Sequence, residues 1–206
     1  MRAKAAAAAG LLALAGCAGA AYHSPGGAFW RAAYNGYGKV VIGAGRPPRI
    51  LLRPRAPAGG RSTHAALVLS ARSLGNLDVT VRLRTTAQLR RPRPNPWEAG
   101  WLLWHYTGDR HFYYLVLKPD GWELGKEAPG YPGGQRYLAT GSRPRFPAGR
   151  WYTITVSQRG AVIKAAVDGR PLVRFADTRR PYLSGRVGLY TEDAAVIFRP
   201  LTISSR

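Results

Sequence analysis

Thiols, glutamate and lysine are all scarce in this chain. One of its 206 residues is cysteine, Cys17, so no disulfide can close within the molecule and the fold must hold by packing alone. No group of His, Cys, Asp or Glu has a metal-ligand spacing, and no Ser, His and Asp stand in a nucleophilic arrangement. The Gly-rich "GAGRPP" at 43–48 lacks the strand-to-helix setting of a phosphate loop. No cofactor and no metal are therefore expected. No stretch shows helical periodicity of useful length. Four residues are glutamate, and only five of the 31 basic residues are lysine.

At 46% hydrophobic and 11% aromatic, the chain can bury a real core. Its start reads differently. Arg2 and Lys4 precede an Ala/Leu run that ends on Leu14-Ala15-Gly16-Cys17. The run is too short to span a bilayer, and residues 1–16 read as a secretory signal peptide. The tetrapeptide resembles a bacterial lipobox, which implies lipidation at Cys17 and a place in the cell envelope, held to a membrane. An ordinary signal peptide cleaved nearby is the alternative. Residues 17–30, small and Gly/Pro-containing, read as a tether, and 31–206 as one domain. The net charge of +21 favours anionic surroundings. The arginines are scattered rather than clustered, which points to a solvated surface and not to nucleic acid.

Short β-like runs follow one another between Gly, Pro and Asp. They include "KVVIG" (39–43), "RILLR" (49–53), "AALVLS" (65–70) and "RYLAT" (136–140). "DVTVRLR" (78–84) alternates, with Val79, Val81 and Leu83 inward. Tyr152, Ile154 and Val156 form one inward set, and Ile163, Ala165 and Val167 the next, ahead of an Asp168-Gly169 hairpin turn. Many short strands without intervening helices indicate an all-β antiparallel β-sandwich or barrel.

Residues 97–127, "WEAGWLLWHYTGDRHFYYLVLKPDGWELGKE", hold three of the four glutamates and four of the six tryptophans. The tail at 149–203, "GRWYTITVSQRGAVIKAAVDGRPL" and then "GRVGLYTEDAAVIFRPLTI", resembles the C-terminal half of concanavalin A-like jelly-roll domains of the lectin/glucanase type. Within these it is most similar to the 3-keto-disaccharide hydrolase family. The likeness runs over about 145–204 and, more weakly through "EAGWLLW" and "GWELG", back to about 98. Where that family has Asn-Ser-Gly, this chain has Glu98-Ala99-Gly100. The resemblance implies a saccharide partner lying across one sheet.

Parity then sorts the dense stretch. With Leu115 and Leu117 in the core, Tyr114 and Lys118 face away; with Trp122 and Leu124 in the core, so does Glu123. Both faces of 98–106 are bulky. Matching Gly100 to the family's small position turns Glu98, Leu102, Trp104 and Tyr106 outward and leaves Trp97, Trp101 and Trp122 as core candidates. Glu123 and Glu98 become the catalytic candidates, and Trp104, Tyr106, Tyr114 and Lys118 the substrate-binding ones. Flat rings suit sugar C–H faces, and paired carboxylates suit glycosidic cleavage. Carbohydrate binding without catalysis and a purely structural envelope role stay open. So does a lyase on an acidic polymer, using Arg90, His105 and Tyr114. The sequence does not specify the oligomeric state.

Overall fold

The computed structural model describes residues 29–59 and 62–205. The expected leader, Cys17 and most of the tether lie outside these residues. Fourteen strands follow in order: β1 (Trp30–Tyr34), β2 (Lys39–Ile42), β3 (Ile50–Arg53), β4 (Ala65–Leu74), β5 (Leu77–Gln88), β6 (Gly100–Gly108) and β7 (His111–Lys118) come first. Then come β8 (Gly121–Glu127), β9 (Gln135–Gly141), β10 (Tyr152–Arg159), β11 (Val162–Val167), β12 (Arg170–Ala176), β13 (Gly185–Glu192) and β14 (Ala194–Ser205). The described residues contain a short 3-10 turn at Pro132–Gly134 and no α-helix.

The strands form two seven-stranded sheets, β1-β4-β13-β6-β7-β8-β9 and β12-β11-β10-β5-β14-β3-β2. Every strand pair is antiparallel. The expected sandwich is therefore the observed one, and the period-2 runs locate its strands. Val79, Val81 and Leu83 point into the space between the sheets, as do Ile154 and Val156 on β10 and Ile163, Ala165 and Val167 on β11. They meet Leu102, Trp104, Tyr113, Leu115 and Leu124 from the first sheet. Fully burying one such aliphatic or aromatic side chain stabilises by about 1.5–3 kcal/mol, and this sum replaces the missing disulfides. Phe29 and Trp30 are buried in the same core, so the packed domain already includes the last two residues assigned to the tether.

A second, smaller cluster sits on the outer face of the first sheet. Leu67, Leu69, Trp101, Leu103, Phe112, Tyr114 and Val116 pack there, with Tyr34, Tyr106 and Tyr190 against them. This explains why β6 is bulky on both sides: it is a central strand with an apolar layer on each face.

Candidate functional site

Gly100 decides the orientation of β6. A side chain there would meet Val196 Cγ1 at 2.8 Å and Phe198 Cζ at 3.3 Å, so the small residue faces the opposing sheet. Leu102 and Trp104 follow it inward, and Trp101 and Leu103 turn outward. The outward orientation expected for Trp104 is thus reversed. Its ring is fully buried, stacks on Tyr113 and donates from Nε1 to Gln158 Oε1 at 2.7 Å. A bulge then interrupts the β6–β7 register between Trp104 and Gly108, with His105 at a positive φ of 50°. The parity resets, and Tyr106 returns to the outer face. There it stacks on Phe112 and donates to Asp109 Oδ1 at 2.7 Å.

Glu98 is also corrected. It precedes β6, is wholly buried, and accepts from Arg90 Nε at 2.8 Å and from the Asn95 backbone N–H at 3.0 Å. Arg90 reaches Asp193 as well, at 2.6 Å. A buried charge persists only when paired in this way, so Glu98 anchors a loop and does not face the outer surface. His105 is buried between the carbonyls of Tyr182 and Gly75, and burial, opposed by those contacts, lowers its pKa. Arg90, His105 and Tyr114 do not converge.

β7 and β8 are oriented as the parity of Leu115, Leu117, Trp122 and Leu124 requires. Glu123 faces outward and accepts from Tyr114 Oη at 2.6 Å. Lys118 Nζ and Gln135 Nε2 approach the same carboxylate at 3.4 Å each. Tyr114 can lie flat across β8 because its cross-strand neighbour is Gly125; a Cβ at 125 would sit 2.2 Å from the Tyr114 hydroxyl. Burial, with Glu123 beside it, raises the Tyr114 pKa, so the phenol remains a donor.

Glu123 and Gln135 line one groove of about 330 Å³ on the outer face. Trp101, Phe112 and Tyr190 form its apolar part, and Trp97, Gln135 and Tyr137 its sides. Asp109, Glu123, Glu127 and Glu192 bring four carboxylates to it. Trp101 lies 4.8 Å from Tyr114 and 5.6 Å from Tyr190, centroid to centroid. Trp97 and Tyr137 are exposed at 44% and 60%, whereas Trp122 is in the main core. Tyr114 and Lys118 sit beside Glu123 at the groove's edge, and Tyr106 borders a separate depression with Ser73, Thr107 and Arg186. Among the described residues no three His, Cys, Asp or Glu side chains are grouped to hold a metal.

Glu127, absent from the candidates that parity named, ends β8 and continues the outward alternation of Glu123 and Gly125. Burial first, and the charge of Glu192 second, push its pKa up to about 7. Burial also raises Glu192, against a hydrogen bond from Tyr190 Oη at 2.7 Å. Glu192 arrives from β13, 65 residues further along the chain, and no local pattern places it here.

A family model described as "3-keto-alpha-glucoside-1,2-lyase-like domain" matches residues 54–204. No curated protein sequence matches significantly. Among solved structures, the carbohydrate-binding module CBM66 from Bacillus subtilis superposes with a TM-score of 0.61 at 16% identity, covering 86% of this chain and 96% of its own. A Bacillus subtilis protein of unknown function with a galectin-like fold gives 0.59 at 13% identity, covering 85% and 89%. The exoplasmic/lumenal domain of VIP36, in its Ca2+/Man3GlcNAc-bound form, gives 0.56 at 11% identity, covering 86% and 84%. At these identities the structural likeness concerns the jelly-roll fold alone.

Proposed function

Because this chain belongs to the 3-keto-alpha-glucoside-1,2-lyase-like domain family, we propose that its groove binds a saccharide and cleaves a glycosidic bond there. The observation that carries this reading is the juxtaposition of an apolar aromatic floor with converging carboxylates in one open groove. Sugars present C–H faces to flat rings and hydroxyls to carboxylates, and the groove offers both. Its acidity, in a chain of net charge +21, argues against an acidic polymer as substrate, since uronates would meet like charge.

The two carboxylates on β8 take different roles. Glu127 keeps its proton up to about pH 7 and is the donor to the departing glycosidic oxygen. Glu123, with Tyr114, Lys118 and Gln135 turned toward its oxygens, is the acceptor. Four residues apart on an extended strand, their Cα atoms stand roughly 13 Å from each other, which leaves space for a sugar ring between the side chains. In a 1,2-elimination of a 3-keto glucoside, the C3 carbonyl acidifies the C2 hydrogen. Glu123 takes that proton, the C1–C2 double bond forms, the C1–O bond breaks, and Glu127 protonates the leaving oxygen. In hydrolysis the same acceptor would serve an attacking water.

The test is calorimetric binding of neutral and 3-keto disaccharides together with product analysis. Glu123→Gln and Glu127→Gln should each keep binding and lose turnover by about 10²–10⁴-fold, the usual scale of general acid–base catalysis. Binding by the wild type with no turnover of any substrate would leave a non-catalytic carbohydrate-binding domain. No binding at all would remove the saccharide reading. We also propose that the protein works in the cell envelope, held at Cys17; membrane retention of a correctly processed Cys17→Ala variant would refute that anchor.

A further inference from the structure

The outer face of the second sheet carries cations set directly against cations. Lys39 pairs with Arg53 across β2 and β3, Arg82 with Arg199 across β5 and β14, and Lys164 with Arg174 across β11 and β12. All six are exposed, and their strand neighbours Val40, Leu83, Ile163 and Phe198 point into the core, so the six share one face. None of them forms an ion pair among the described residues. Asp78, on the same face, is bound to Arg159.

Like charges directly opposite each other on neighbouring strands destabilise a sheet, and this sheet carries three such pairs. One is softened: Arg82 and Arg199 both lie over the Trp151 ring, at 5.0 and 5.8 Å from its centroid. The others have no such relief. A further row, Val41–Leu51–Ile197, puts apolar side chains on this face. The cations stand at both edges of the sheet and in its middle. Seven strands spaced at about 4.8 Å make this an array roughly 29 Å wide. That is a two-dimensional pattern, whereas a single polyanion would call for one track of charge. The aromatic ring on the face, Trp151, is covered by its two guanidiniums, so it offers no open platform for stacking bases.

We propose that this face docks on an anionic phospholipid surface, with headgroup phosphates set against the three cation pairs and the apolar row at the interface. Basic side chains held near such a surface are attracted by its negative potential within a Debye length. The groove opens on the other sheet, across the full thickness of the sandwich, so a docked molecule presents it to solvent.

The experiment is co-sedimentation of the full chain carrying Cys17→Ala, so that no lipid anchor contributes, with vesicles of phosphatidylcholine alone and of phosphatidylcholine with phosphatidylglycerol, at low and high salt. The variant R82Q/R199Q/K164Q/R174Q is compared with R31Q/R110Q/R143Q/R186Q, which removes four exposed charges outside this sheet. The first should bind anionic vesicles at least tenfold more weakly than wild type, and the second within about twofold of it. Removal of like-charge pairs should leave the first variant melting no lower than wild type, which separates lost docking from lost folding. Equal losses in both variants, or none in either, would overturn the proposal. So would preferential capture by soluble duplex DNA or polyphosphate over anionic vesicles.

Discussion

Glu127 illustrates how a single carboxyl acquires its chemistry from what surrounds it. Partial burial and the nearby Glu192 hold its proton to about pH 7, so turnover that uses it as donor should fall as pH rises through 7. A pH–rate profile of the wild type checks this; a flat profile from pH 6 to 9 would exclude Glu127 as the donor. Gly125 makes a second, separate contribution. Its missing side chain is what lets Tyr114 cross β8 and reach Glu123. Gly125→Ala would force the phenol away, costing about 1–3 kcal/mol as overpacking does and lowering turnover by the same displacement. Urea unfolding and kinetics on the same preparation measure both effects.

Whole strands set which of two tryptophans is structural. Trp104, on the inward face of β6, should cost about 3–5 kcal/mol on truncation to alanine, because its ring leaves a void and Gln158 Oε1 loses its donor. Trp97, in the segment just before β6 and 44% exposed, should instead leave the fold intact. Its loss should weaken saccharide binding by about 1–3 kcal/mol, the scale of one buried aromatic contact. Thermal melts and calorimetry of both variants distinguish the two, and the reverse outcome would mean the groove is elsewhere. The segment after β12 is fastened in another way. Asp177 accepts from the fully buried Lys126 and from Tyr113 and Arg136, and Lys126 also faces the rings of Tyr113 and Tyr182. Burial opposes ionisation of Asp177, but the hydrogen bonds from Lys126 and Tyr113 and the Lys126 charge outweigh it and lower its pKa. Asp177→Asn should destabilise by about 3–5 kcal/mol, the cost of leaving a buried cation uncompensated, as read in urea unfolding.

On the scale of the molecule, these groups pull stability in opposite directions with pH. Asp177 has a depressed folded-state pKa, so its contribution is present above the ordinary aspartate range and is lost as pH falls through the lowered value. Glu127 has a raised one, so the folded state holds an extra proton and stability declines as pH rises from the ordinary glutamate range to about 7. Chemical denaturation of the wild type should therefore show a slope above pH 5 that Glu127→Gln reduces, leaving the part due to the raised Glu192, while the acid limb persists. Persistence of the full slope in that variant would mean Glu127 titrates normally. The acidic groove and the three cation pairs also lie on opposite faces of the sandwich.

Alternation along each strand was enough to place most of the sheets. Val79-Val81-Leu83 and Ile163-Ala165-Val167 can bury one face only, and Asp168-Gly169 can turn only between such strands. The outward side of β7 and β8 was legible for the same reason, so the orientation of Tyr114, Lys118 and Glu123 followed from local sequence. β6 was not, because it is apolar on both faces and its parity is decided by Val196 and Phe198 of the opposing sheet filling the space beside Gly100. Glu98 looked like an available carboxylate until Arg90 and Asp193 enclosed it. Glu192 joined the groove only because β13 inserts between β4 and β6. Side-chain parity is a property of consecutive residues, whereas the neighbours that neutralise, protonate or cover a group come from distant strands, and only the packed sheets bring them together.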